Sequence, residues 1–299
     1  MRAADLGMLQ RPNDRLRRRR AVNRGMELLA WLAAAIAVAI LGIVVWSVAK
    51  RGASELNLDL LTKPPVPFAI GPVQQGLANA FAGSLVIVGL ATAMALPVGI
   101  LVAIYVNEFA PRPIRLGVGL TLDVLNGIPS IVIGIFVFGL LVVGHGQKGW
   151  VGAFALAVLM LPLVARSMIE VLALVPGSLR EASLALGVPR WRTTLGIVLP
   201  QTVGGVVTGT VLAVARVAGE TAPLLFTSSI VGNQTSWNPG HALQSIPVAI
   251  FELSEQPDPA DHARAWAAAF VLLLFILFAS LSARWLATRS RRKIGRAGR

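Results

Sequence analysis

The sequence predicts an all-α integral membrane protein with six transmembrane helices, and three observations carry that prediction. Of 299 residues, 55% are apolar and 14% charged, and the mean hydropathy is +0.71, too high for a chain that faces water on every side. Charge-poor runs of about 20 residues, the length that spans hydrocarbon, recur along the chain and leave no room for an ordinary soluble domain. No strand-period alternation competes with them, and the runs are too long for barrel strands.

The first predicted span, residues 28–48, follows an arginine-rich stretch (Arg17, Arg18, Arg19, Arg20, Arg24) and lacks a clear small-x-small cleavage site, so a retained signal anchor is expected. Spans at 79–106, 116–143, 150–168, 194–216 and 265–286 complete the set. Asp123, Pro129, Pro162, Pro200 and Arg216 interrupt them, which is tolerable where protein or a wet cavity surrounds the freed polar groups. Pro97 and Pro200 are expected to kink their spans. The implied organisation is a basic tail (1–25), a first span with its outer loop (26–77), a five-helix core (78–287) containing a cytoplasmic loop (169–193), and a second basic tail (288–299).

The formal net charge of +13 does not point to nucleic acid. Eight arginines precede Met26 and seven basic residues follow Ala283, so most of the basic charge flanks spans, where it sets orientation and meets anionic lipid. Arg112 and Arg115 after the second span, and Arg166, Arg180, Arg190 and Arg192 after the fourth, fall on the same side as both tails if the count is six. The last outer loop carries Glu252, Glu255, Asp258 and Asp261 against Arg264; Lys50, Arg51 and Lys63 in the first outer loop argue weakly the other way. Both termini are therefore expected inside the cell. With no cysteine there is no disulfide framework or thiolate site, and His145, His241 and His262 lack ligand spacing, so no metal is expected. No repeat at fixed period relates the two halves.

The most informative segment is 176–201, PGSLREASLALGVPRWRTTLGIVLPQ. Ser178 followed by Glu181 has capping-box spacing; Leu179, Ala182 and Leu186 share a helical face; Gly187 supplies a helix end and Pro189 a first-turn residue for the next helix. A helix, a glycine turn and a second helix make a compact knob suited to docking. These residues resemble the EAA loop of bacterial ABC importer permeases, with Glu181, Ala182, Gly187, Ile197, Leu199 and Pro200 at the family's intervals and Ser183 where that family usually has Ala. The resemblance implies the ABC type I importer permease fold. It also implies an ATPase-coupling role for Glu181, Ala182 and Gly187, which in that family enter a cleft of the ATP-binding subunit.

Two further stretches, PVGILVAIYVNE at 97–108 and ARVAGETAPLLFT at 215–227, resemble the phosphate-specific branch, the PstA type, with support from IPSIVIGI at 128–135. Likeness is expected over residues 79–287, the first 75 matching only in layout. The resemblance implies a bacterial inner-membrane subunit paired with a homologous second permease, an ATP-binding subunit dimer and an external phosphate-binding protein. It also implies that Arg216 and Glu220 act in translocation.

Read from the residues alone, Arg216 is the one basic residue of its span, with Glu220 at i+4 on the same helical face. A buried Arg at a helix centre costs about 2.5–3.5 kcal/mol on insertion scales, so a paired or cavity-facing location is expected. A structural ion pair and a substrate contact are both open. Asp123 is expected as a helix-end or interhelical partner, and Gly205 with Gly209 as a close-packing pair. No phosphate loop and no Gly-x-Ser-x-Gly occurs, so no cofactor is expected on this chain and ATP belongs to a partner. A permease for another oxyanion, a secondary transporter and a membrane enzyme are the alternatives. The last two lack, respectively, mid-span coupling carboxylates and a polar catalytic cluster.

Overall fold

The computed structural model describes residues 14–65, 75–229 and 235–297, so most of the N-terminal basic tail and residues 230–234 of the last predicted outer loop lie outside the described residues. Every regular element among them is helical. The chain forms two compact units, Met1–Lys50 and Arg51–Arg299. The first contains nearly all of α1 (Asp14–Gly52), a single 39-residue helix that contains the predicted first span and extends well before it.

The second unit begins with Arg51, whose guanidinium stacks 4.8 Å from the Trp266 ring, and with the short α2 (Leu58–Thr62), capped by Asn57, whose side chain accepts from Leu60 N at 2.7 Å. Lys63 pairs with Asp59 at 2.9 Å, so two of the three cations that oppose the predicted orientation are held by neighbours. α3 (Ala78–Ile104) runs into a π turn, Tyr105–Phe109. α4 (Arg112–Gly127) and α5 (Ser130–Val137), the latter ending in a π turn at Phe138–Val142, occupy the place of the predicted third span. They are not one continuous helix: they meet at a 92° bend. Pro129 cannot donate to the ladder and pushes Ile128 to an extended backbone (φ −69°, ψ 128°), which ends α4 there.

α6 (Gly149–Ala173) runs beyond the predicted fourth span and includes Arg166, expected in the following loop. α7 (Gly177–Ala185) and α8 (Arg190–Thr193) lead through a π turn, Thr194–Val198, into α9 (Leu199–Val217). The irregularity expected at Pro200 is taken up by that π turn, and Pro200 stands in the first turn of α9. α10 (Ala222–Thr227), α11 (Ile246–Ser254) and α12 (Pro259–Ala297) complete the chain. Among the described residues five helices are long and apolar enough to cross a membrane, six if the bent α4–α5 pair is one span.

α6 is the axis of the second unit. Half of its most apolar stretch is buried, against 22% for α3 and for the 190–217 stretch and 17% for α12, so protein surrounds α6 while the others keep an outward face. Lipid tails are as apolar as the core, so close packing rather than the hydrophobic effect must hold such helices together. Ala91, Ala95, Gly99 and Ala103 of α3 meet Ala153, Ala157, Leu156, Met160 and Val164 of α6 in one buried cluster. Gly205 and Gly209 press α9 on α6: a methyl added at Gly205 would lie 2.5 Å from Val171 Cγ1, and one at Gly209 would collide with Ser167 Oγ. The pair therefore packs as its spacing predicts. Thr208 Oγ1 donates to Ala283 O at 3.3 Å, tying α9 to α12.

Candidate coupling loop and substrate pathway

The segment from the end of α6 to the start of α9 folds as a helix, a left-handed turn and a second helix. Gly187 has φ +76°, and its N–H donates to Leu184 O at 3.0 Å while Val188 N–H donates to Ser183 O at 3.2 Å. These two bonds are the Schellman closure, which needs the positive φ that glycine alone adopts without strain. The start of α7 differs from expectation. It begins at Gly177 with Pro176 as cap and no side-chain capping bond, so Ser178 and Glu181 do not form a capping box; both are exposed in the first turns. Ser183, the departure from the EAA pattern, is buried and hydrogen bonds Thr193 across the turn at 2.8 Å, pinning α7 to α8.

One side chain ties the knob to the bundle. Arg180 Nε donates to both Glu108 oxygens at 3.2 and 3.1 Å, and Nη2 donates to Glu108 Oε1 at 2.8 Å. Its Nη1 also reaches Val175 O at 2.7 Å and Nη2 reaches Leu172 O at 3.0 Å. Glu108 lies in the π turn after α3, its side chain only 9% exposed, and takes a further bond from Asn107 Nδ2 at 2.8 Å. A bidentate guanidinium–carboxylate pair fixes direction as well as distance. Arg115 holds the same turn from the other side, donating to Val106 O at 3.1 Å and Asn107 O at 3.2 Å. Glu181 and Ala182 stay exposed, and Leu186 is 84% exposed.

The candidate pathway residues are arranged differently from the sequence expectation. α9 ends at Val217, and Gly219 and Glu220 N–H close back on Arg216 O and Val217 O at 3.2 and 3.1 Å. Glu220 therefore lies beyond the helix rather than on the Arg216 face, because Gly219 interrupts the turn between them. Among the described residues no ion pair joins them; Arg216 is exposed and Glu220 half-buried. Just past them α10 packs on α5, where a methyl at Gly134 would stand 2.6 Å from Pro223 Cα, and Phe138 meets Phe226 edge-on at 6.3 Å. The 128–135 and 215–227 stretches thus touch. Asp123 on α4 lies 3.7 Å from Arg166 on α6, which is also 3.7 Å from Glu170, so Asp123 is an interhelical partner as expected.

At the far end of the bundle from α7, Asn79 Nδ2 donates to Gln244 Oε1 at 2.7 Å, and Gln244 Nε2 donates to Glu252 on α11. Burial pushes the Glu252 carboxyl above its ordinary range; the Gln244 bond pulls it back and nearby Asp261 pushes it further up. Arg264 bonds Asp261 and, at 2.6 Å, Gln75 Oε1. Among the described residues no three His, Asp or Glu side chains converge as a metal site.

An all-helical membrane protein with an anchored, outward-facing helical knob between two spans has the build of an importer permease. The chain belongs to the family described as binding-protein-dependent transport system inner membrane component, whose model matches residues 95–292. It is 38% identical over 264 residues to the phosphate transport system permease protein PstA of Haemophilus influenzae, covering 87% of this chain and 91% of that one. To PstA 1 of Mycobacterium tuberculosis strain H37Rv it is 41% identical over 225 residues, 73% of this chain and 72% of that one. A 280-residue match at 37% to PstA of Xylella fastidiosa strain Temecula1 covers 92% of this chain, so the likeness extends into the first 75 residues, beyond the range expected. A permease chain from the crystal structure of a bacterial alginate ABC transporter superposes with a TM-score of 0.60 at 16% identity, over 90% of this chain and 97% of that chain. At that identity the likeness shows the fold, the ABC type I importer permease fold.

Proposed function

We propose that this chain is a membrane-spanning subunit of an ATP-driven importer of inorganic phosphate, forming the pathway with a second, homologous permease. ATP is bound and hydrolysed by a separate dimer of ATPase subunits that grips the exposed face of α7, and an external binding protein delivers phosphate. The observation that carries the reading is the anchored coupling loop in a chain 37–41% identical to PstA permeases over most of its length. Glu181, Ala182 and Leu186 supply the docking surface, and Gly187 the turn behind it.

Both termini and the α7 end lie in the cytoplasm of a bacterial cell, as the distribution of Lys and Arg implies. Arg216 serves the pathway as an exposed guanidinium able to meet a passing anion without trapping it, and Glu220 acts from the loop beyond α9 as a movable counter-charge rather than a fixed partner. The test is uptake of labelled phosphate, with molybdate and sulfate as competitors, by cells expressing the chain with its partner subunits. Phosphate uptake that Arg216→Met abolishes and Arg216→Lys impairs is expected; uptake of molybdate or sulfate in its place overturns the cargo. A cysteine at Ser236 should react with an impermeant thiol reagent in intact cells, whereas one at Ser178 should not. The reverse labelling overturns the orientation.

A further inference from the structure

Behind the coupling helix lies a cavity of about 460 Å³ lined by Asn107, Glu108, Arg115, Arg180, Arg190 and Thr193, with Ala173 and Leu184 as its apolar wall. Three guanidiniums face one carboxylate there, and that carboxylate is already neutralised by Arg180. Arg180 spends most of its donors on Glu108, Val175 O and Leu172 O, and Arg115 spends two on the carbonyls of Val106 and Asn107. Those bonds hold both side chains rigid while leaving N–H groups over. Arg190 is exposed and makes no side-chain hydrogen bond or ion pair among the described residues. A polar recess holding an excess of about two positive charges, two of its three cations fixed in place, is preorganised for a compact, doubly charged oxyanion.

We infer that this cavity binds a phosphate group, either free inorganic phosphate or the headgroup of an anionic phospholipid, between Arg115, Arg180 and Arg190. The site is separate from the pathway assigned to Arg216, because it lies between α7, α8 and the π turn after α3. An anion seated in it joins Arg190 at the start of α8 to Arg115 at the start of α4, and so stiffens the coupling loop from behind without covering the exposed face of α7. On the orientation proposed above, the free ligand would be the transported product sensed at the cytoplasmic end, and the site would tie loop rigidity to internal phosphate.

The experiment is hydrogen–deuterium exchange over residues 184–193 in the complete transporter reconstituted in nanodiscs. Discs of phosphatidylcholine are titrated with inorganic phosphate, and discs containing phosphatidylglycerol are measured without it. Protection that rises with phosphate in neutral discs identifies the free anion; protection present with phosphatidylglycerol alone identifies the headgroup. In either case Arg190→Glu, a change at an exposed position, should weaken the apparent affinity at least tenfold, and Arg216→Met should leave it unchanged. No protection in either disc, or protection that Arg190→Glu leaves intact, overturns the site. Because Arg216→Met removes transport in the same preparation, loss of the proposed cargo and loss of this site are read separately.

Discussion

Replacing Arg180 by Ala removes a side chain that ties α7 to the end of α3. Three contacts to Glu108 and two to the carbonyls of Leu172 and Val175 vanish together, leaving a carboxylate that is 9% exposed with Asn107 as its remaining donor. Breaking a fully buried pair costs about 3–5 kcal/mol. Arg180 itself is 23% exposed and the adjoining cavity admits water, so about 2–3 kcal/mol is the better figure. If the ATPase binds only the held form of α7, the apparent affinity falls by up to about 30–150-fold. The assay is retention of the ATPase on the purified permease across a dilution series, paired with uptake per inserted chain. Arg180→Lys should be intermediate, since a point charge keeps the attraction to Glu108 but cannot also reach both carbonyls. Glu108→Ala should weaken docking by itself and add little to Arg180→Ala, giving a coupling energy above about 1 kcal/mol. Wild-type ATPase retention in Arg180→Ala, or strictly additive single effects, would refute the anchor.

Three further outcomes follow from the same geometry. Gly187→Ala has space around the new methyl but is forced into a left-handed backbone at a cost of about 1–2 kcal/mol, so it should reduce ATPase retention, and Gly187→Asn should reduce it less. Gly134→Val drives a side chain into the Pro223 backbone, and the level of folded protein in the membrane, read by size-exclusion chromatography, should fall, while Gly139→Val, which meets nothing, should not change it. Because the folded Glu252 carboxyl binds protons more tightly than an ordinary carboxyl, its contribution to stability should be fully present below the ordinary carboxyl range and be lost as pH rises through the raised value. Glu252→Gln should flatten that part of the thermal-stability profile; an unchanged slope assigns it to other groups.

Much of this structure is written in local pattern, and the parts that are not share one cause. Span positions follow from runs of apolar residues, and the left-handed turn follows from a glycine between two short helical patterns, so both were legible. The bend at Ile128 was visible as Pro129, but its size depends on what α5 packs against, and that contact, Gly134 on Pro223, joins residues far apart in sequence. The same holds for Arg180 and Glu108, 72 positions apart. The one signal was at Glu108, a lone charge at the edge of an apolar run, which asks for a partner without naming it; Arg180, with Glu181 beside it, carried none. Periodicity misled at Arg216 and Glu220: a spacing of four places two residues on one face only while the helix continues, and Gly219 ends that condition.

The bend between α4 and α5 also limits what can lie beside this subunit. Asp123, just before it, meets Arg166 toward the 173 end of α6, whereas Ile133 and Val137, just after it, pack with Val151 and Ala155 toward the 149 end. The elbow therefore sits near mid-length of α6, at a depth where hydrocarbon offers no hydrogen-bond donors. α4 ends there; among the described residues the Ile128 N–H returns to Leu125 O at 3.3 Å, while Asn126, Gly127 and Pro129 lie exposed. Acyl chains cannot solvate such groups. This edge of the subunit must be turned toward water or a neighbouring protein.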